Sequence, residues 1–147
     1  MGEPIEERMM AEYLAATYAP GTYVAHVRLG QPRGTPPGTM ASAEERALKL
    51  MTLPEADAIV RFPDHVEVLE FIVWRPQETI GQLLYYLSLV PSTPGYADVT
   101  PDRVRGMIVS GLEDQRVSDL AARLGLGFGV YRPPWLLEAL AARRGRS

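Results

Sequence analysis

The 147-residue chain contains no cysteine, so neither a disulfide framework nor a thiolate metal site is available to it. Lysine is almost as scarce. Of 15 basic residues only Lys49 is a lysine, and the arginine bias together with 13 prolines gives a composition like that of a GC-rich or thermophilic source. No apolar run approaches the roughly 20 residues that cross a bilayer, which predicts no membrane span. The acidic start Met1-Gly-Glu-Pro-Ile-Glu-Glu lacks the basic and apolar regions of a signal peptide, so the expected location is cytoplasmic. A net charge of −3 argues against coating nucleic acid wholesale and leaves only a local basic strip for such contact. There is no HExxH, no serine in a nucleophile-elbow setting and no internal repeat. Gly125-Leu-Gly-Phe-Gly129 is rich in glycine but leads into a strand rather than a helix, so it reads as a turn and not a phosphate-binding loop.

What is present suits one globular domain spanning 1–147, with 46% apolar and 22% charged residues. Pro4 to Tyr18 predicts a helix, with Pro4 in its first turn and Glu6 and Glu7 at the positive end of the dipole. Thr22 to Leu29 alternates as a strand. The stretch 31–38 is a Pro/Gly-rich loop, Ser42 to Glu45 resembles a capping box for a short helix, and 91–101 is a second Pro-rich connection. Val104 to Ser110, with Met107, Ile108 and Val109 in a short continuous run, reads as a strand buried on both faces. Val117 to Leu124 is spaced as a helix, and Phe128 to Tyr131 closes the sheet. The C-terminal segment 134–147 is a helix with a basic tail of Arg143, Arg144 and Arg146. Arginines there complement the helix dipole, and a basic cluster at a terminus is also the usual footprint of weak DNA binding.

Residues 55 to 90 carry the chemistry, read as strand, turn, strand, loop and helix. Asp57 and Glu70 stand inside apolar strands, where an unpaired carboxylate costs several kcal/mol unless it has a solvated pocket, a partner or a cation. Period-two alternation puts Val68, Glu70, Ile72 and Trp74 on one face and Glu67, Leu69, Phe71 and Val73 on the other. Arg61 and Arg75 are the nearest candidates to pair with Glu70 across the sheet. On the following helix Gln82 and Tyr86 lie four apart on one face. His26 and His65 have no partner in view and read as structural.

This arrangement resembles the PD-(D/E)XK nuclease superfamily over roughly residues 4 to 135. Asp57 matches the motif's Asp, Glu70 its second acid, and Gln82 with Tyr86 the QxxxY element of RecB-type branches. The predicted order, helix, three strands, helix, strand, helix, strand, is similar to that superfamily's core with a short helix inserted. The resemblance implies an α/β (α+β) single domain: a central mixed β-sheet flanked by helices, with a restriction-endonuclease-like αβββαβ core, an extra αβ and a C-terminal helix. It further implies Mg²⁺ or Mn²⁺ held by Asp57 and Glu70, with Gln82 placing substrate or metal. Glu7 and Glu12 are candidates for the extra carboxylate that many members carry on the first helix. At the motif lysine the chain has Ile72, which cannot polarise water or neutralise developing charge. Lys49 could supply the missing ammonium from a neighbouring element, as some members carry it elsewhere.

Two functions follow. The first is a degenerate, catalytically inactive nuclease-fold protein with no cofactor, working as a structural or protein-binding component of a larger phage or mobile-element assembly, and virion-associated in that setting. The second is a divalent-metal-dependent DNA endonuclease or exonuclease with a displaced lysine. Loss of one positioned catalytic group costs about 10² to 10³ in rate, which favours the first.

Overall fold

The computed structural model describes residues 4–31 and 43–145; the proline-rich stretch from 32, the capping residue Ser42 and Arg146 lie outside the described residues. Among the described residues five strands and five α-helices follow in the expected order. These are α1 (Pro4–Thr17), β1 (Tyr23–Arg28), α2 (Ala43–Met51), β2 (Glu55–Arg61), β3 (Val66–Ile72), α3 (Thr79–Leu89), β4 (Val104–Ser110), α4 (Gln115–Arg123), β5 (Gly127–Val130) and α5 (Pro134–Arg144). The connection 91–101 is compact, with single 3-10 turns at Val90–Ser92 and Pro101–Arg103. Thr93 is buried within it, where its hydroxyl accepts from the Gly30 N–H at 2.8 Å.

The strands form one mixed sheet in the order β1-β2-β3-β4-β5. β1, β2 and β3 pair antiparallel, β2 and β3 joined by a tight connection and β1 and β2 by a long one that carries α2, whereas α3 and α4 carry the chain back so that β4 joins β3, and β5 joins β4, in parallel. Ile108 and Val109 of β4 are fully buried, one toward each face, as its apolar run predicts for a strand covered on both sides.

Two apolar layers sandwich the sheet. On one side Ile80 and Leu83 of α3 and Val117 and Ala121 of α4 pack on Ile59, Val66, Val68 and Ile108. On the other, Met9, Met10 and Leu14 of α1 and Leu136 of α5 pack on Ala58, Val60, Leu69, Phe71 and Val73. The β3 alternation holds as read: Val68 and Ile72 meet the α3 layer, and Leu69, Phe71 and Val73 meet the α1 layer. Each fully buried Leu, Ile or Val contributes about 1.5–3 kcal/mol, so this double core holds the acid-bearing strands rigidly. A hydrogen-bonded corner ties α1 to α5. The Trp135 indole N–H donates to Glu12 at 2.6 Å, Tyr131 donates to the same carboxylate at 3.4 Å, and the Arg8 guanidinium lies 4.0 Å from the Trp135 ring centroid.

Candidate functional site

The acids meet at the point where β2 and β3 splay apart. The ladder runs Arg61↔Val66 through Ala58↔Leu69, and one step further puts Asp57 opposite Glu70. There the side chains take over the hydrogen bonds that the backbone relinquishes. Glu70 accepts from the Asp57 N–H at 3.2 Å, and Asp57 accepts from the Phe71 N–H at 2.8 Å. The two carboxyls are also hydrogen-bonded to each other, with Glu70 only 6% exposed. Burial, reinforced by the Asp57 charge, pushes Glu70 up to about 9, so at neutral pH it holds a proton and donates it toward Asp57. Burial also raises Asp57, partly offset by the Phe71 N–H.

A third residue completes the row. His26 lies between the pairs Ala25↔Ala58 and Val27↔Ala56, which places it across from Asp57. Its backbone is left-handed, φ 56°, a conformation that costs a non-glycine residue on the order of 1 kcal/mol or more. The alternation of β1 reverses there: Ala25 packs toward α1, whereas Val27, two residues on, packs toward α3. The imidazole is bracketed by Glu55 at 2.8 Å on Nδ1 and Glu7 at 3.1 Å on Nε2. Burial alone would lower its pKa, but the two carboxylates outweigh that and raise it. His26 was expected to lack a partner; Glu7 from α1 and Glu55 two residues before Asp57 correct that reading, because the sequence does not reveal which strand lies beside β2.

The remaining site residues separate into those near the pair and those away from it. Tyr86 of α3 is buried, and the charges of Glu70, Asp57 and Glu55 add to the burial that raises its phenol. Gln82 donates to the Tyr86 hydroxyl, so the QxxxY pair is joined within its own helix. Glu7 faces His26, whereas Glu12 faces Trp135 and Tyr131, so of the two helix carboxylates only Glu7 belongs to this cluster. Glu6 was not anticipated. It accepts from the Val73 N–H at 3.3 Å and adds its charge to those that raise Glu70.

The two arginines expected to pair with Glu70 bond elsewhere. Arg61 bonds Asp98 at 3.2 Å and the Gly95 carbonyl at 2.8 Å, and Arg75 bonds Glu78 at 3.4 Å. Lys49 lines a cavity of about 850 Å³ with Gly30, Thr52, Tyr85 and Ser88. Ile72 lines a separate cavity of about 580 Å³ with Glu6, Trp74 and Arg75. Arg143 and Arg144 line a third cleft, beside Trp74.

To a hard divalent cation the pair would offer two carboxyl groups, Asp57 already engaged by the Phe71 N–H and Glu70 by the Asp57 N–H, with water or phosphate oxygens needed for the rest of the shell. Among the described residues no group of three or more His, Asp or Glu is placed to hold an ion. The geometry itself provides a pair of carboxyls bonded across two strands.

No protein-family model matches the sequence, and neither does any curated protein. Solved structures do. The chain is similar to EndoMS in complex with double-stranded DNA, at 19% identity and a TM-score of 0.47 over 91% of this chain and 47% of that one. It is also similar to a repair endonuclease from Pyrococcus abyssi, at 14% identity and a TM-score of 0.47 over 91% of this chain and 50% of that one. A Vibrio cholerae protein matches 54% of the chain at 19% identity and a TM-score of 0.39. This chain thus spans about half the length of the first two structures or less.

Proposed function

We propose that this chain is a nuclease-like domain that does not hydrolyse phosphodiesters and serves as a binding or structural component of a larger assembly. The observation that carries this reading is the closed bonding of the acid pair. Each carboxylate accepts from the opposite strand's backbone, and Ile72, on Glu70's face, supplies hydrocarbon where the resemblance asks for an ammonium.

Two costs then oppose hydrolysis. A divalent ion must displace the Glu70 proton, and that competition weakens ion binding at neutral pH. The missing cation costs about another 10² to 10³ in rate. Together they remove most of what a metal-dependent phosphodiesterase gains from such a site. In this reading Lys49, which lines the cavity beside Gly30 and Tyr85, does not offset the loss.

The test is DNA cleavage by purified protein in Mg²⁺ or Mn²⁺, beside Asp57→Ala and Glu70→Ala variants. The expected result is no cleavage above the variants' background, on duplex or single-stranded substrate. Metal-dependent cleavage that either substitution abolishes would overturn this reading in favour of an endonuclease or exonuclease with a displaced cation.

A further inference from the structure

Beyond the acid pair, the chain presents one surface whose chemistry selects a partner. Trp74 leaves the end of β3 at a fixed corner: the preceding N–H, that of Val73, is held by Glu6, and the following residue, Arg75, is left-handed at φ 51°. The indole stands on the surface there, 40% exposed. Facing it is α5. Leu136 is fully buried against the sheet, which turns Leu137 and Ala141, four residues apart on the helix, outward, with Leu137 45% exposed. Between the indole and this helix face runs a cleft of about 690 Å³ whose charged lining residues are Arg132, Arg143 and Arg144. Among the described residues no acid lines it, in a chain whose net charge is −3.

We infer that this cleft docks an acidic amphipathic segment of a partner protein, its apolar residues against Trp74, Leu137 and Ala141 and its carboxylates on the arginine rim. An exposed indole with aliphatic neighbours inside an arginine border is the composition of protein-interface hot spots, where Trp and Arg are enriched. Single-stranded nucleic acid fits less well. Such sites stack successive bases on several aromatics along a positive track, whereas this cleft has one aromatic and a leucine-alanine floor that a sugar-phosphate backbone cannot match. The inference deepens the binding reading above by supplying the chemistry of the partner. It uses none of the acid-pair residues, so a cleavage assay and a docking assay can fail separately.

The test uses the full chain and a fluorescein-labelled synthetic helix with leucines at i, i+3, i+4 and i+7 and glutamates elsewhere, read by anisotropy. The comparators are the same helix with lysine for glutamate and a labelled oligothymidylate. The glutamate helix is expected to bind and the lysine helix not to. Trp74→Ala, and separately the Arg132→Ala/Arg143→Ala pair, should each weaken binding at least about tenfold, while Trp74→Phe retains most of it. Circular dichroism of each variant separates lost docking from lost fold. Absence of binding by the glutamate helix, or equal binding by the folded variants, overturns the inference. Tighter binding of oligothymidylate at the same residues overturns it too and makes the cleft a nucleic-acid surface.

Discussion

Replacing Glu70 with Gln should stabilise this protein at neutral pH and change it little in acid. Glutamine copies the protonated form of the side chain: its carbonyl can accept from the Asp57 N–H and its amide can donate to the Asp57 carboxylate. The wild-type acid ionises freely in the unfolded chain near 4.5 but holds its proton to about 9 when folded. Its contribution to stability is therefore fully present below the unfolded value and is lost as pH rises toward 9, at about 1.4 kcal/mol per pH unit. Between 4.5 and neutrality this amounts to about 3 kcal/mol, a loss that the Glu70→Gln variant escapes. Urea unfolding of both proteins in acid, at neutrality and near pH 9 measures it directly, with m-values checked for constancy. The two curves should nearly coincide in acid and diverge steadily above it, the variant being more stable. Parallel pH profiles, or a variant less stable throughout, would refute the claim that Glu70 is folded as a neutral acid.

Three other outcomes follow from the same geometry. Ile72→Lys places an ammonium on Glu70's face beside a solvent-open cavity, so a carbon-13 titration of Glu70 should show its pKa lowered by about 1–3 units. In the folded wild type the His26 imidazole should titrate above its ordinary value by proton NMR, and Glu7→Gln and Glu55→Gln should each bring it down. Any stability that His26 adds is present below its unfolded pKa and fades as pH rises through the folded one; because the ring is about half exposed it is small, about 0.5 kcal/mol or less. Trp135→Phe removes the donor that most lowers Glu12, so the Glu12 carboxyl should titrate higher and the urea midpoint should fall, while Glu138→Gln on the same helix leaves both unchanged.

The fold was legible because its signals are local. Pro4 with Glu6 and Glu7 marked α1, the uninterrupted apolar run marked β4, and alternation set the faces of β3, since each depends on a few neighbouring residues. The acid pair was legible as well, because a carboxylate in a strand interior stands out against its surroundings. Its bonding was not. That the backbone of each strand satisfies the other's carboxylate depends on where the ladder stops, which register and splay decide and composition does not. His26 was missed for a related reason: its carboxylate partners lie 19 and 29 residues away, and its left-handed backbone has no marker such as glycine or asparagine. Glu12 went the other way, since a helix-surface acid reads the same whether it faces a catalytic centre or the indole of α5.

The most direct measurement is the protonation state of the Glu70 carboxyl, followed by carbon-13 NMR across the pH range with and without Mg²⁺. A carboxyl that stays protonated at neutrality and is indifferent to Mg²⁺ is the predicted result. A charged Glu70 at neutrality, or a proton that Mg²⁺ expels, would contradict the account and return the pair to service as a metal site.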